Sequence, residues 1–193
     1  IDIDQLNWLP NSHSFWVKEN DNVVVYDVNN LDKFATVLTQ EQLSKSGFKG
    51  AIEALIWNDN KTKVLVYTNS KTVWRAKTKG DYWYFDLTTG KGKQLGKDLE
   101  TSSLMFAKFS SDNENVAYVS KHNIYLENLN SGKITPLTTD GTDKIINGTF
   151  DWVYEEELAA RDGFRWSPDG KSIAFWRIDA TATKFHLMIN NTD

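Results

Sequence analysis

The chain contains no cysteine and only 3 prolines in 193 residues. Without thiols there are no disulfides, no thiolate nucleophile and no thiolate metal site, and the redox compartment is left open. No apolar run approaches the roughly 20 residues that a membrane-spanning helix needs, so no transmembrane segment is expected. Positive charge is not in excess: 22 Lys and Arg stand against 26 Asp and Glu, a net charge of −4 with a pI near 5.4. No basic stripe can track a phosphate backbone, and nucleic acid is not an expected partner. There is no Gly-x-Ser-x-Gly elbow, and His13, His122 and His186 have neither carboxylate company nor metal-ligand spacing. No catalytic residue, metal site or cofactor is expected within this chain.

What is abundant is aromatic: 8 Trp, 7 Tyr and 10 Phe, with β-branched residues filling the apolar runs. That composition favours an all-β protein. Four copies of one plan follow each other, anchored at Trp8, Trp57, Phe109 and Trp166, with spacings of 49, 52 and 57 positions. The two later copies carry it best. Phe109-Ser110-Ser111-Asp112 leads into Val116-Ala117-Tyr118, and Trp166-Ser167-Pro168-Asp169-Gly170 leads into Ile173-Ala174-Phe175. Repeats of about 40 to 50 residues with four short strands are the mark of β-propeller blades. The expected architecture is about four blades, residues 1–193 forming part of an N-terminal propeller of seven or eight blades. The chain begins at Ile1 and stops at Asp193 shortly after a strand-like run, which suggests a piece of a longer protein.

Two segments overflow the blade plan, and such loops are disproportionately where function sits. One is Thr72 to Asp81, with Arg75 beside Trp74; the other is Ile145 to Asp162, with Asp151-Trp152-Val153-Tyr154-Glu155-Glu156-Glu157-Leu158. Leu158, Ala159, Ala160 and Arg161 are good helix formers, so a short inserted helix is expected near 152–161. Successive helical residues are about 100° apart, so Glu156 and Glu157 can lean toward one point while Glu155 and Glu157 diverge. In a strand the converging pair would be Glu155 and Glu157. Two carboxylates held together favour a cation between them, which makes the pair a receptor for an ammonium. The other account is that acidic residues complement the first turn of a helix while staying in water.

The string Asp151-Trp152-Val153-Tyr154-Glu155-Glu156-Glu157, with Arg165-Trp166-Ser167-Pro168-Asp169-Gly170 behind it, resembles the double-glutamate region of the dipeptidyl peptidase IV family of serine exopeptidases. Trp74-Arg75, followed by Tyr82, Tyr84 and Asp86-Leu87, is similar to the segment carrying that family's substrate-contacting arginine. The resemblance implies that Glu156 and Glu157 bind the free α-ammonium of a peptide and that Arg75 hydrogen-bonds a backbone carbonyl near its N-terminus. Glu155, Trp152 and Tyr154 are expected to support the helix, the two aromatics by packing. It further implies a C-terminal α/β-hydrolase domain outside this chain, holding a Ser, Asp and His triad, and release of N-terminal dipeptides with Pro or Ala second. The full protein is expected to be a homo-oligomer, and the composition suits a bacterial periplasmic or other extracytoplasmic setting. Two other readings stay open from sequence: a stand-alone propeller that binds proteins, and a related tripeptidyl or oligopeptidase.

Overall fold

The computed structural model describes residues 6–184. The strand-like run from Phe185 to Asn190, with His186, lies outside the described residues. β1 (Asn7–Trp8), β2 (Ser14–Glu19), β3 (Asn22–Asp27) and β4 (Asn30–Leu38) form a four-stranded antiparallel meander, the first blade. Its β2–β3 turn places Asn20 and Asp21 at φ 48° and 62°, the left-handed pair that matches strand twist in a two-residue hairpin. A short helix, α1 (Gln40–Lys45), then crosses to the second blade. Thr39 and Gln42 close a capping box at its start, so the backbone donors there are satisfied.

The second blade comprises β5 (Ala54–Trp57), β6 (Lys63–Val73), β7 (Ala76–Asp86) and β8 (Lys91–Gln94); the third comprises β9 (Leu104–Phe109), β10 (Asn115–Ser120), β11 (Asn123–Asn128) and β12 (Ile134–Pro136). β13 (Ile145–Asn147) precedes the second helix, α2 (Trp152–Leu158). The fourth blade begins with β14 (Phe164–Trp166) paired to β15 (Ile173–Phe175), and β16 (Arg177–Asp179) returns to pair β13. The fold is all-β, a row of antiparallel propeller blades.

Strand periodicity explains why the blades stack. Successive side chains point to opposite faces, so Val64, Val66 and Phe85 of the second blade pack against Trp16, Val23 and Leu38 of the first. On the other face Leu65, Tyr67 and Tyr82 meet Leu104, Val116 and Tyr118 of the third. The third blade turns Ala117, Val119 and Ile124 toward Phe164 of the fourth. A blade buried on both faces must be apolar at consecutive positions, and Val116 to Val119 is such a run. Each fully buried Val or Ile contributes about 1.5–3 kcal/mol relative to exposure.

The repeated turn is built as the sequence suggests. Ser110 donates to Asp112 Oδ1 at 2.5 Å and Ser167 to Asp169 Oδ1 at 2.6 Å. Asn113 and Gly170 occupy the same left-handed position, at φ 60° and 69°.

One region departs from the expected plan. Thr72 to Asp81 is not a loop between strands. It is the outer half of an 11-residue strand pair, β6 and β7, that rises beyond the blade and turns at Trp74-Arg75. The arm also pairs with β9 through Lys79↔Met105 and Gly80↔Leu104, joining the second and third blades into one eight-stranded sheet. Gly80 is needed there: a Cβ would lie 2.6 Å from the Tyr67 ring and 2.7 Å from the Thr68 carbonyl oxygen. Asp81, buried at the arm's base, accepts from Ser102 N at 2.6 Å and from Asn69 Nδ2 at 2.9 Å.

Candidate functional site

Both overflow segments arrive at one place. Helix α2 starts because Asp151, extended at φ −81° and ψ 177°, accepts from Tyr154 N at 3.1 Å, satisfying one of the donors orphaned at a helix N-terminus. The helix is shorter than expected. It ends at Leu158, because Ala159 adopts the left-handed conformation, φ 51°, and the Ala160 amide bonds back to Tyr154 O at 3.2 Å. Thr149 and Asp162 then pair as an isolated bridge, closing the neck of the insertion.

The helix has an inverted face. Its one buried residue is Glu155, 7% exposed, while Trp152, Val153 and Leu158 are exposed by half or more. Trp152, expected to support the helix by packing, is 51% exposed. Tyr154 is exposed as well, yet it keeps one ring contact, with Phe150 at 5.6 Å, and Phe150 in turn lies 5.9 Å from Trp176. What holds Glu155 is Arg161, whose Nε donates to Oε1 at 2.9 Å. That partner was not singled out from sequence, because a separation of six residues across a left-handed turn matches no helical spacing.

Glu156, a turn-neighbour of Glu155, faces the arm. Arg75 Nη2 reaches Glu156 Oε1 at 2.6 Å, with the arginine side chain 76% exposed and the glutamate's 23%. Glu157 is exposed, and among the described residues no ion pair reaches it. The local charge of Glu156, Glu157 and Arg75 thus sums to −1, which one further ammonium would neutralise. Arg75 sits in a two-residue turn whose first residue, Trp74, has φ +50°, a conformation costly for a bulky side chain and tolerated where surroundings over-determine it.

Behind this pair lies a cavity of about 560 Å³, walled by Trp74, Met105, His122, Phe150, Glu155 and Arg161. Burial pushes the His122 imidazole pKa down, with Asp143 opposing and Lys79 assisting. On the rim Lys121 pairs with Glu100 at 2.8 Å and holds that carboxyl below its usual range. At the neck, Lys108 Nζ contacts Asp162 Oδ1 at 2.5 Å and lies 3.6 Å from the Phe164 ring centroid. Burial brings the Lys108 ammonium down to about 8, against the pull of Asp162. His122 shares that cavity with the Glu155–Arg161 pair; among the described residues neither His13 nor His122 forms an ion pair with the glutamates, and His186 lies outside the described residues.

Comparison with known proteins gives this arrangement its relatives. The family model for the dipeptidyl peptidase IV (DPP IV) N-terminal region matches residues 58–193. The probable dipeptidyl-aminopeptidase B of Penicillium rubens is 30% identical over 198 residues, covering 91% of this chain and 22% of that protein. The dipeptidyl-aminopeptidase B of Aspergillus niger is 36% identical over 124 residues, 64% of this chain and 14% of that protein. The chain thus spans about a fifth or less of the length of these curated relatives. They are fungal, where the sequence had suggested a bacterial setting. Among solved structures, the dipeptidyl peptidase 4 of the bacterium Porphyromonas gingivalis superposes with a TM-score of 0.80 at 24% identity, over 90% of this chain and 25% of that one. That likeness shows the propeller fold. Among the described residues no helix is long and apolar enough to cross a membrane. With a family model matching well over half its length, the chain belongs to the dipeptidyl peptidase IV N-terminal region family.

Proposed function

We propose that this chain is the substrate-anchoring part of the propeller of a dipeptidyl peptidase. Glu156 and Glu157 receive the free α-ammonium of a peptide, and Arg75 donates to a carbonyl of its first residues. The reading rests above all on the 2.6 Å contact of Arg75 with Glu156, which joins two insertions 81 positions apart in the chain. A net charge of −1 at the rim complements the ammonium, and the half-withdrawn Glu156 strengthens that attraction because its surroundings are poorer in water. Arg75 matters twice: it relieves the repulsion between the two glutamates and keeps donors free for the peptide.

The bond-breaking equipment belongs to a hydrolase domain elsewhere in the longer protein. There a histidine takes the proton of a serine hydroxyl, an aspartate orients the histidine, and backbone donors hold the oxyanion. The anchor sets the distance from the peptide's first atom to that serine, so two residues fit and a dipeptide leaves, with Pro or Ala preferred second. The propeller segment alone has no hydrolytic role. An extracytoplasmic protein and a homo-oligomeric assembly complete the reading.

In the full-length protein, Glu156→Gln should lower kcat/KM on Ala-Pro-x peptides by about a hundredfold, since unpairing a desolvated charge costs several kcal/mol. N-acetylation of the substrate should abolish turnover. Equal cleavage of acetylated and free peptides would reject the anchor, and tripeptide release from Ala-Ala-Pro-x would move the protein to another exopeptidase class.

A further inference from the structure

The anchoring glutamate is aimed from behind, and the residue that aims it lies past the end of the helix. Glu155 is the one buried side chain of α2, and a buried carboxylate is tolerated only when paired. Its partner is Arg161, at 2.9 Å. The next residue, Asp162, bonds outward to Lys108 of β9 at 2.5 Å and to Arg165 at 2.9 Å, and it pairs with Thr149 at the neck. Adjacent residues therefore hold the helix on one side and the third blade on the other. The same relation recurs one step on: Glu155 is tied inward to Arg161 while Glu156 is tied outward to Arg75.

We propose that Arg161 is a positioning residue for substrate binding, acting through Glu155 to set the rotation of α2 and so the aim of Glu156 and Glu157. This rests on the anchoring reading above. A seven-residue helix has too few internal hydrogen bonds to keep its own orientation, and of its exposed side chains Tyr154 has one ring contact, with Phe150. The Arg161–Glu155 pair is the contact that locks the helix azimuth from its buried side. A change of about 1 Å in the aim of a binding group can cost on the order of a hundredfold in rate.

The test uses the full-length enzyme and two substrates of the same acyl-proline type, one with the α-amine and one lacking it. Arg161→Met should raise KM for the amine substrate about tenfold or more with kcat within about threefold, and should leave the des-amino substrate unchanged. Arg161→Lys, which keeps the charge but loses the planar fork, should recover part of the loss. In a Glu156→Gln background the effect of Arg161→Met should shrink, because one of the two groups it aims is already gone. A general folding lesion would instead depress both substrates alike, and Arg161→Met acting as strongly with Gln at position 156 would likewise overturn the role. Glu156→Gln without any loss would overturn the anchor itself, a result distinct from either.

Discussion

Blade interior and inserted helix solve the same problem, that of fixing a short element, by opposite means. In the third blade Val116, Ala117, Tyr118 and Val119 are all fully buried, alternating between the neighbouring blades. In α2 the apolar side chains are exposed and a carboxylate is inside. The blade is held by many weak, direction-free contacts, so its strands tolerate exchange of one aliphatic residue for another of like volume. The helix is held by a few ion pairs and a cap, each with fixed geometry. Such contacts orient side chains sharply but add little stability once desolvation is counted. The scaffold is therefore where stability resides, and the insertion is where direction is set.

Truncation in the scaffold should break stability and spare recognition. Ile124→Ala, at a position with no exposure between the third and fourth blades, should cost about 3 kcal/mol from lost transfer energy and the cavity left behind. Urea unfolding of the full-length protein measures it, and KM of the folded fraction should stay unchanged. Gly148, whose Cα neighbours the same Ile124 side chain, shows how closely this region is packed: a Cβ there would lie 2.8 Å from Ile124 Cγ1.

Removing the cap should do the converse. Asp151→Ala withdraws the acceptor from Tyr154 N, worth about 1 kcal/mol at an N-cap. That is small against the whole protein yet large against a seven-residue helix. The expected outcome is a small fall in unfolding midpoint with a several-fold rise in KM for free-amine peptides. A loss confined to stability would mean that the ion pairs alone keep the glutamates aimed.

The same contrast governs what could be read before the structure. Strands and their turns were legible because they are local: Ser167-Pro168-Asp169-Gly170 has its hydroxyl, carboxylate and left-handed glycine within four positions. The acidic triplet and the helix formers behind it, Leu158 to Arg161, announced the helix. Its end was not legible, since Ala159 and Ala160 favour helix intrinsically and the left-handed turn is imposed by the need to return Asp162 to Thr149. The arm was read as an overflow rather than as strands, because Lys71, Thr72, Lys77 and Lys79 show none of the apolar alternation of a half-buried sheet. Helix α1 was missed although Thr39 and Gln42 carry a capping signature, its six residues being too few for an apolar period. The meeting of Arg75 with Glu156 has no local signature at all; family resemblance alone brought those residues into one expectation.

Trp152 gives the finest probe of the contrast. At 51% exposure and on the outer side of α2, its ring gains little from this chain, so Trp152→Ser should change stability by no more than about 0.5 kcal/mol, as at other exposed positions. The indole would then serve solubility poorly and the helix not at all. A large aromatic left in water beside Val153 and Leu158 makes a small apolar patch, however, and patches of this kind mark contact surfaces. If Trp152→Ser in the full-length protein lowers the unfolding midpoint by several degrees, another part of that protein covers the ring, and the helix is clamped from outside by packing as well as from inside by Arg161. A null shift leaves the ion pairs, the Asp151 cap and the Tyr154–Phe150 contact as its support.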